Sequence, residues 1–318
     1  MSDAVRLISL DAIKAALEGF DPVPAMEAAF RAFSRGEALV PPPGELIFED
    51  PPGDVHIKYG YLAGGDYYVV KIASGFYDNP RRGLPSSNGV MLGFRRRTGE
   101  LAAILDDRGH LTDLRTAAAG AVAARHLAPA EVEAIGIIGA GTQAELQALL
   151  LQGVRSCRNI VVWARRSEAA EAYAERLGRR GFSVTTAGSP SEVAERCRLI
   201  VTTTPSTAAL IERGAVRPGT HVTAIGADTP DKQELDPALF GDADIVAVDS
   251  RVQGALRGDL RHALDAGAIG LDKVVELGEI IDGRARGRRD ARDITVAALT
   301  GLAVQDVAIA SAVMARAA

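Results

Sequence analysis

Cysteine, clustered histidine and uninterrupted apolar sequence are all scarce in this chain, and each scarcity removes a class of function. The only cysteines among 318 residues, Cys157 and Cys197, are isolated and form no Cys-x-x-Cys spacing. Two thiols are too few for a disulfide framework, so a reducing cytoplasm is the expected compartment. The histidines (His56, His110, His126, His221 and His262) are scattered, with no His-x-x-x-His or mixed Cys/His grouping, and no metal site is expected. No Gly-x-Ser-x-Gly nucleophile motif is present. A net charge of −5 supplies no basic footprint for nucleic acid. The longest apolar stretch, Ile294 to Val313, is broken by Gln305 and Asp306 and reads as a loop and a packed helix rather than a membrane span. Near the N-terminus Asp3, Arg6, Asp11 and Lys14 interrupt any secretory h-region.

What remains is an ordinary globular composition, 47% hydrophobic and 24% charged, in a chain long enough for two domains. Its strongest local signal is Ile135-Gly-Ile-Ile-Gly139-Ala-Gly141-Thr142-Gln143-Ala144. A short apolar run meets Gly-x-Gly-x-x-Ala and then a segment rich in Ala, Leu and Gln, the order of strand, turn and helix in a dinucleotide-binding fingerprint. Gly139 permits the tight turn, Gly141 lets backbone approach a pyrophosphate, and Ala144 lets the helix pack closely on the strand. The helix N-terminus offers N–H groups to the anion.

Around this motif the chain divides by periodicity. Residues 10–33 have helical spacing with a break at Asp21-Pro22. Strand-like runs follow at Val55 to Tyr61, Tyr67 to Ile72, Val90 to Phe94 and Leu101 to Leu105, the last two joined by a turn at Arg97-Thr98-Gly99. They predict an α+β domain with an antiparallel or mixed sheet. Leu111 to Arg115 leads into an Ala-rich helix over Thr116 to Leu127. Strand-like runs then alternate with helical ones at 135–138, 160–163, 183–186, 199–203, 222–225 and 245–248, which predicts a Rossmann-type, doubly wound parallel sheet. The arginine-rich run Gly283 to Arg289 reads as a solvated loop. A final apolar helix opening at Gly301 has no strand after it to cover and is expected to return to the N-terminal domain. The domains are therefore read as residues 1–115 with 300–318, and residues 116–299.

Four separated segments, Val70 to Gly75, Leu111 to Ala118, Ile138 to Gln143 and Ile225 to Leu235, together resemble the ornithine cyclodeaminase/mu-crystallin family of nicotinamide-dependent enzymes. Leu-Thr-x-x-Arg-Thr-Ala and Gly-x-Asp-x-Pro are the more specific pieces. The resemblance implies a substrate-binding domain that also makes a homodimer, with a dinucleotide-binding domain between its two parts. It places Lys71 and Arg115 on a substrate carboxylate, Asp228 beside the reacting carbon, and Lys232 near the cofactor. Ser86, Thr142, Gln143 and Thr203 would contact the dinucleotide, with Thr300 near its nicotinamide end. These residue types suit the chemistry: Arg forks onto a carboxylate, Lys71 anchors it and donates a proton, and Asp228 does acid/base work at an amine or imine nitrogen. The bland alternatives are a solvated strand lysine, a helix-start ion pair and a loop cap.

Two positions depart from ornithine cyclodeaminases proper. Pro43 and Gly44 stand where those enzymes carry a carboxylate-binding Arg, and Lys58 falls where they have an acidic residue for the substrate amine. An ammonium there repels a diamine. The expected substrate is thus a small carboxylate-bearing imino or amino acid, with Lys58 as a carboxylate clamp or the partner of a second carboxylate, as in iminosuccinate. Ornithine cyclisation to proline and a catalytically silent dinucleotide binder remain the alternatives. After the second Rossmann strand, roughly 20 residues beyond the glycines, NAD enzymes offer an acid to the ribose. Here the turn is Ala164-Arg165-Arg166-Ser167, which suits a 2′-phosphate and hence NADP; Glu168 keeps NAD open.

Overall fold

The computed structural model describes residues 4–76 and 78–317. It separates into two compact units, Met1–Arg115 with Leu302–Ala318, and Thr116–Gly301, the division falling inside one helix.

The first unit is built on a mixed seven-stranded sheet: β1 (Arg6–Ile8), β2 (Ala38–Leu39), β3 (Gly44–Phe48), β4 (Gly53–Leu62), β5 (Tyr67–Phe76), β6 (Ser87–Arg95) and β7 (Leu101–Leu105). β1 pairs parallel with β7, and the other neighbours are antiparallel. The hairpin between β4 and β5 sets Lys58 directly opposite Lys71, side by side on one face. That face is covered by the last helix, Ala303–Arg316, which packs on β4, β5 and the helix Pro22–Ser34. Asp21 caps the latter by accepting from Val23 N at 3.0 Å. The predicted strands are all present; β1 and β2 are additional and too short to show a period, and β3 is additional, with Leu46, Ile47 and Phe48 consecutive and so no alternation.

The helix that carries Arg115 starts at His110, earlier than the Thr116 expected. Asp107 supplies the reason, its carboxylate accepting from Leu111 N at 2.9 Å and satisfying a first-turn donor.

The second unit is a Rossmann-type doubly wound sheet of eight parallel strands. Its members are β8 (Ile135–Ile138), β9 (Asn159–Trp163), β10 (Ser183–Thr186), β11 (Leu199–Thr202), β13 (His221–Ala224), β15 (Ile245–Val248), β16 (Val274–Glu276) and β17 (Thr295–Ala298), in the order 10-9-8-11-13-17-15-16. A separate parallel pair joins β12 (Thr207–Ile211) to β14 (Gln233–Leu235). The segment before the last helix corrects the reading of a loop: β17 is a fully buried strand between β13 and β15. Buried on both faces, it shows no alternation, so period alone did not reveal it. The arginine-rich run is also more than a solvated loop. Arg286 pairs with Asp293 at 2.9 Å, and Arg288 donates to the carbonyls of Leu127 and Thr220, at 2.5 and 3.1 Å.

Among the described residues no helix is long and apolar enough to cross a membrane.

Candidate functional site

Two clusters of functional side chains form, one in each unit. In the second unit a cleft of about 390 Å³ lies at the C-terminal ends of β8, β9 and β11. Gly139 sits at its base with φ +117°, and a Cβ there would collide with Thr203 Oγ1, so only glycine fits. A Cβ on Gly141 would meet nothing within 4 Å, which leaves the N-terminus of the helix Thr142–Leu151 open in front. No side chain caps that helix, and its first N–H groups are available to an anion. Thr203 lines the cleft and anchors itself on Ile138 O through its N–H (2.8 Å) and its hydroxyl (3.2 Å). Trp163, Arg165 and Arg166 form the opposite wall, both arginines exposed. Gly turn, uncapped helix and basic wall fit a dinucleotide.

In the same unit Asp228 lies on the loop after β13, half-buried, with its carboxylate 2.7 Å from Lys232 Nζ. The loop is held by its backbone. Arg257 donates to Asp228 O at 3.3 Å, Gly258 N to Thr229 O at 3.0 Å, and Arg261 to Pro230 O at 3.3 Å. Lys232, expected near a cofactor, is therefore tied to Asp228. Thr300 is buried, its hydroxyl donating to Asp249 at 3.1 Å and accepting from Gln253 at 2.8 Å, so its donor is spent inside the protein.

The first unit contains the denser charge cluster. Lys71 Nζ contacts both carboxylate oxygens of Asp306, at 3.1 and 3.0 Å. Arg115 Nε reaches Asp306 Oδ1 at 3.0 Å, and Arg115 Nη1 donates to Gln305 Oε1 at 3.3 Å. Lys58, Lys71, Arg115 and Asp306 are 6%, 2%, 5% and 1% exposed, so these charges interact with little screening. Burial lowers the Lys71 ammonium to about 7, against the pull of Asp306 and helped by Arg115 and Lys58. Burial alone would raise the Asp306 carboxyl, but Lys71, Arg115 and Lys58 outweigh it and hold it below the usual carboxylate range. Asp107, next to the cluster, is pushed up by burial, opposed by the N–H groups of Leu111 and Gly109. Lys71 and Arg115 thus converge on one carboxylate, Asp306, with Lys58 directly across from Lys71. Ser86 also belongs to this unit, half-buried in the loop before β6, where its carbonyl accepts from Phe76 N at 2.8 Å.

The sequence profile of the ornithine cyclodeaminase/mu-crystallin family matches residues 7–318. The chain belongs to that family. Among its relatives, the iminosuccinate reductase of Paracoccus denitrificans is 33% identical over 300 residues, covering 91% of this chain and 89% of that protein. The delta(1)-pyrroline-2-carboxylate reductase of Thermococcus litoralis, solved in complex with NADH and L-proline, superposes with a TM-score of 0.93 at 28% identity, covering 98% of this chain and 97% of the other. An archaeal alanine dehydrogenase, solved as a dimer with bound NAD, gives a TM-score of 0.91 at 33% identity, with coverage of 98% and 96%.

Within this family member, Lys58, Lys71 and Arg115 meet in one cluster, and Gly139, Gly141, Thr203, Arg165 and Arg166 meet in one cleft. Thr142 opens the helix behind that cleft, and Gln143 is half-buried in its first turn. Asp306 and Gln305 were legible only as polar breaks in an apolar run. The signal that would have found them is burial: a carboxylate and an amide inside an otherwise apolar helix require partners, and Lys71 and Arg115 are those partners.

Proposed function

We propose that the protein is an NAD(P)H-dependent oxidoreductase that interconverts an α-imino acid and the corresponding L-amino acid. One observation carries this reading: Lys71 and Arg115 are buried together on a single carboxylate, Asp306, with the Lys58 ammonium added to them. A substrate carboxylate is the ligand this pair suits, oriented by the guanidinium of Arg115 and the ammonium of Lys71. The reduced dinucleotide, bound on the Gly139–Gly141 turn, supplies the hydride. Lys71, poised near neutrality, is suited to hand a proton to the reacting imine or take one from the amine. Asp228, its carboxylate 2.7 Å from Lys232 Nζ, accepts a hydrogen bond from the substrate nitrogen, while Lys71 carries the transferred proton in both directions.

A second reading concerns the side chain of the substrate. Lys58 shares the Lys71 face and favours a second carboxylate, as in the iminosuccinate reduced by the Paracoccus relative; it disfavours a diamine. The basic wall of Arg165 and Arg166 favours a 2′-phosphate, so NADPH is the expected donor. The buried, unpaired Cys157 and Cys197 fit a reducing cytoplasm. A homodimer fits the sheet face opposite Lys58 and Lys71, where Leu46, Phe48, Tyr59 and Ile72 are exposed.

Purified protein incubated with NADPH or NADH and a panel of keto acids with ammonia, cyclic imines and iminosuccinate is expected to consume reduced cofactor, which absorbance follows directly. No turnover with any imine, together with proline formation from ornithine, overturns the reading in favour of a cyclodeaminase. Cofactor binding without turnover on any imino or amino acid overturns it in favour of a silent binder. Arg165→Ala is expected to erode preference for NADPH over NADH by about tenfold. Unchanged preference removes the NADP assignment.

A further inference from the structure

The loop of Asp228 and the wall of the nucleotide cleft share a support that contributes no atom to either. Glu234, on β14, is fully buried and accepts four hydrogen bonds. Its Oε1 accepts from Thr204 N at 2.6 Å and Thr204 Oγ1 at 2.7 Å. Its Oε2 accepts from Thr202 Oγ1 at 2.7 Å and Gly226 N at 2.8 Å. Thr204 follows Thr203 in the cleft wall, and Gly226 lies two residues before Asp228. The two backbones touch: a Cβ on Gly226 would collide with the main chain of Thr204. One carboxylate therefore clamps the two loops where they leave the paired strands β11 and β13.

The clamp is itself anchored. Asp259 Oδ1 accepts from Glu234 N at 2.7 Å and Leu235 N at 2.8 Å, while its buried Oδ2 has no hydrogen-bond partner. Burial raises both carboxyls, Glu234 against the pull of its four donors and Asp259, with Glu234 beside it, to about 7. Gln233 N donates to Ser206 O at 2.8 Å, adding a third tie to the cleft loop.

We propose that Glu234 is a positioning residue that couples dinucleotide binding to the placement of Asp228; this rests on the function proposed above. When the cleft wall is fixed by a bound dinucleotide, the Gly226 turn is fixed through the same carboxylate. Loss of Glu234 then damages two parameters at once, cofactor affinity and the rate at saturating cofactor, where a lesion in the cleft wall alone damages only the first.

The test uses Glu234→Gln in the full chain. The amide keeps the volume but turns an NH2 toward two donors, so either the Thr204 or the Gly226 link breaks whichever way it faces. Trp163, the sole tryptophan and part of the cleft wall, reports dinucleotide binding by its fluorescence. The expected result is a dinucleotide Kd raised at least about tenfold together with an imine-reduction kcat at saturating dinucleotide lowered at least about tenfold. A variant that melts earlier but keeps Kd and kcat within about twofold overturns the proposal, as does one in which only one of the two moves. If Glu234→Gln does not fold, Thr202→Val replaces it. That buried residue does not line the cleft and its hydroxyl shares Oε2 with Gly226 N, and a parallel loss of about threefold in both parameters is expected, with an isolated change in either overturning the coupling. Absence of wild-type turnover on every imine overturns the proposed function instead. Glu234 is then judged on Kd alone, an unchanged value sinking it and a raised one supporting it.

Discussion

Asp306 in the first unit and Glu234 in the second are both buried carboxylates, but they are satisfied differently. In the first, Asp306 is met by side chains, Lys71 and Arg115, whose own charges exceed it. In the second, Glu234 is met by backbone N–H groups and threonine hydroxyls, and Asp249 too accepts from backbone, from Ser250 N at 3.0 Å, Thr300 N at 3.0 Å and Gly301 N at 2.6 Å. A carboxylate satisfied by neutral dipoles fixes the path of the chain and has nothing left to offer a ligand. One that leaves cations over-supplied creates an affinity for a further anion. The first arrangement suits recognition and the second suits geometry.

The sharpest way to break this contrast is Asp306→Asn. Removing one member of a buried ionic cluster strands the others, and a stability loss of about 3–5 kcal/mol is expected by denaturant titration. A loss below about 1 kcal/mol would show that water or a rearranged Asp107 already screens Lys71. Next comes pH. Lys71 is protonated below about 7 and neutral above it, so imine reduction is expected to fall as pH rises through about 7. Because Asp306 raises the Lys71 value, Asp306→Asn moves that limb to lower pH, while an unmoved limb assigns it to another group. The smallest effect is expected in the second unit. Asp249→Asn keeps one acceptor oxygen for its N–H partners and costs about 1–3 kcal/mol of stability, read by the same titration, with no shift of the pH limb. A moved limb would place Asp249 in the chemistry and erase the distinction between the units.

Legibility in the sequence depended on how local the determinants are. The dinucleotide turn was readable because its determinants are local: Gly139, Gly141 and Ala144 lie within six residues and each answers to a steric requirement of one turn. Lys71, Arg115 and Asp228 were singled out only through motif resemblance, since nothing in the immediate neighbours of Lys71 distinguishes a buried, paired lysine from a solvated one. Asp306 was not read as functional at all, because its partners are 235 and 191 positions away and only the docking of the last helix on β4 and β5 brings them together. The buried strand β17 failed for a different reason: Thr295 to Ala298 is hidden on both faces and offers no alternation to detect. Glu234 sat inside a recognised motif, yet its four donors come from the ends of two other strands, β11 and β13.

The facing of Lys58 and Lys71 across β4 and β5 has a consequence for how the chain is made. Both strands emerge from the ribosome early, and their hairpin sets two ammonium groups side by side in a surface destined for burial. The carboxylate that reconciles them arrives on the helix Ala303–Arg316, after the whole of Thr116–Gly301 has been synthesised. During translation the contiguous unit can close while the split one waits for its counter-ion. The part of the protein that is written first is therefore completed last.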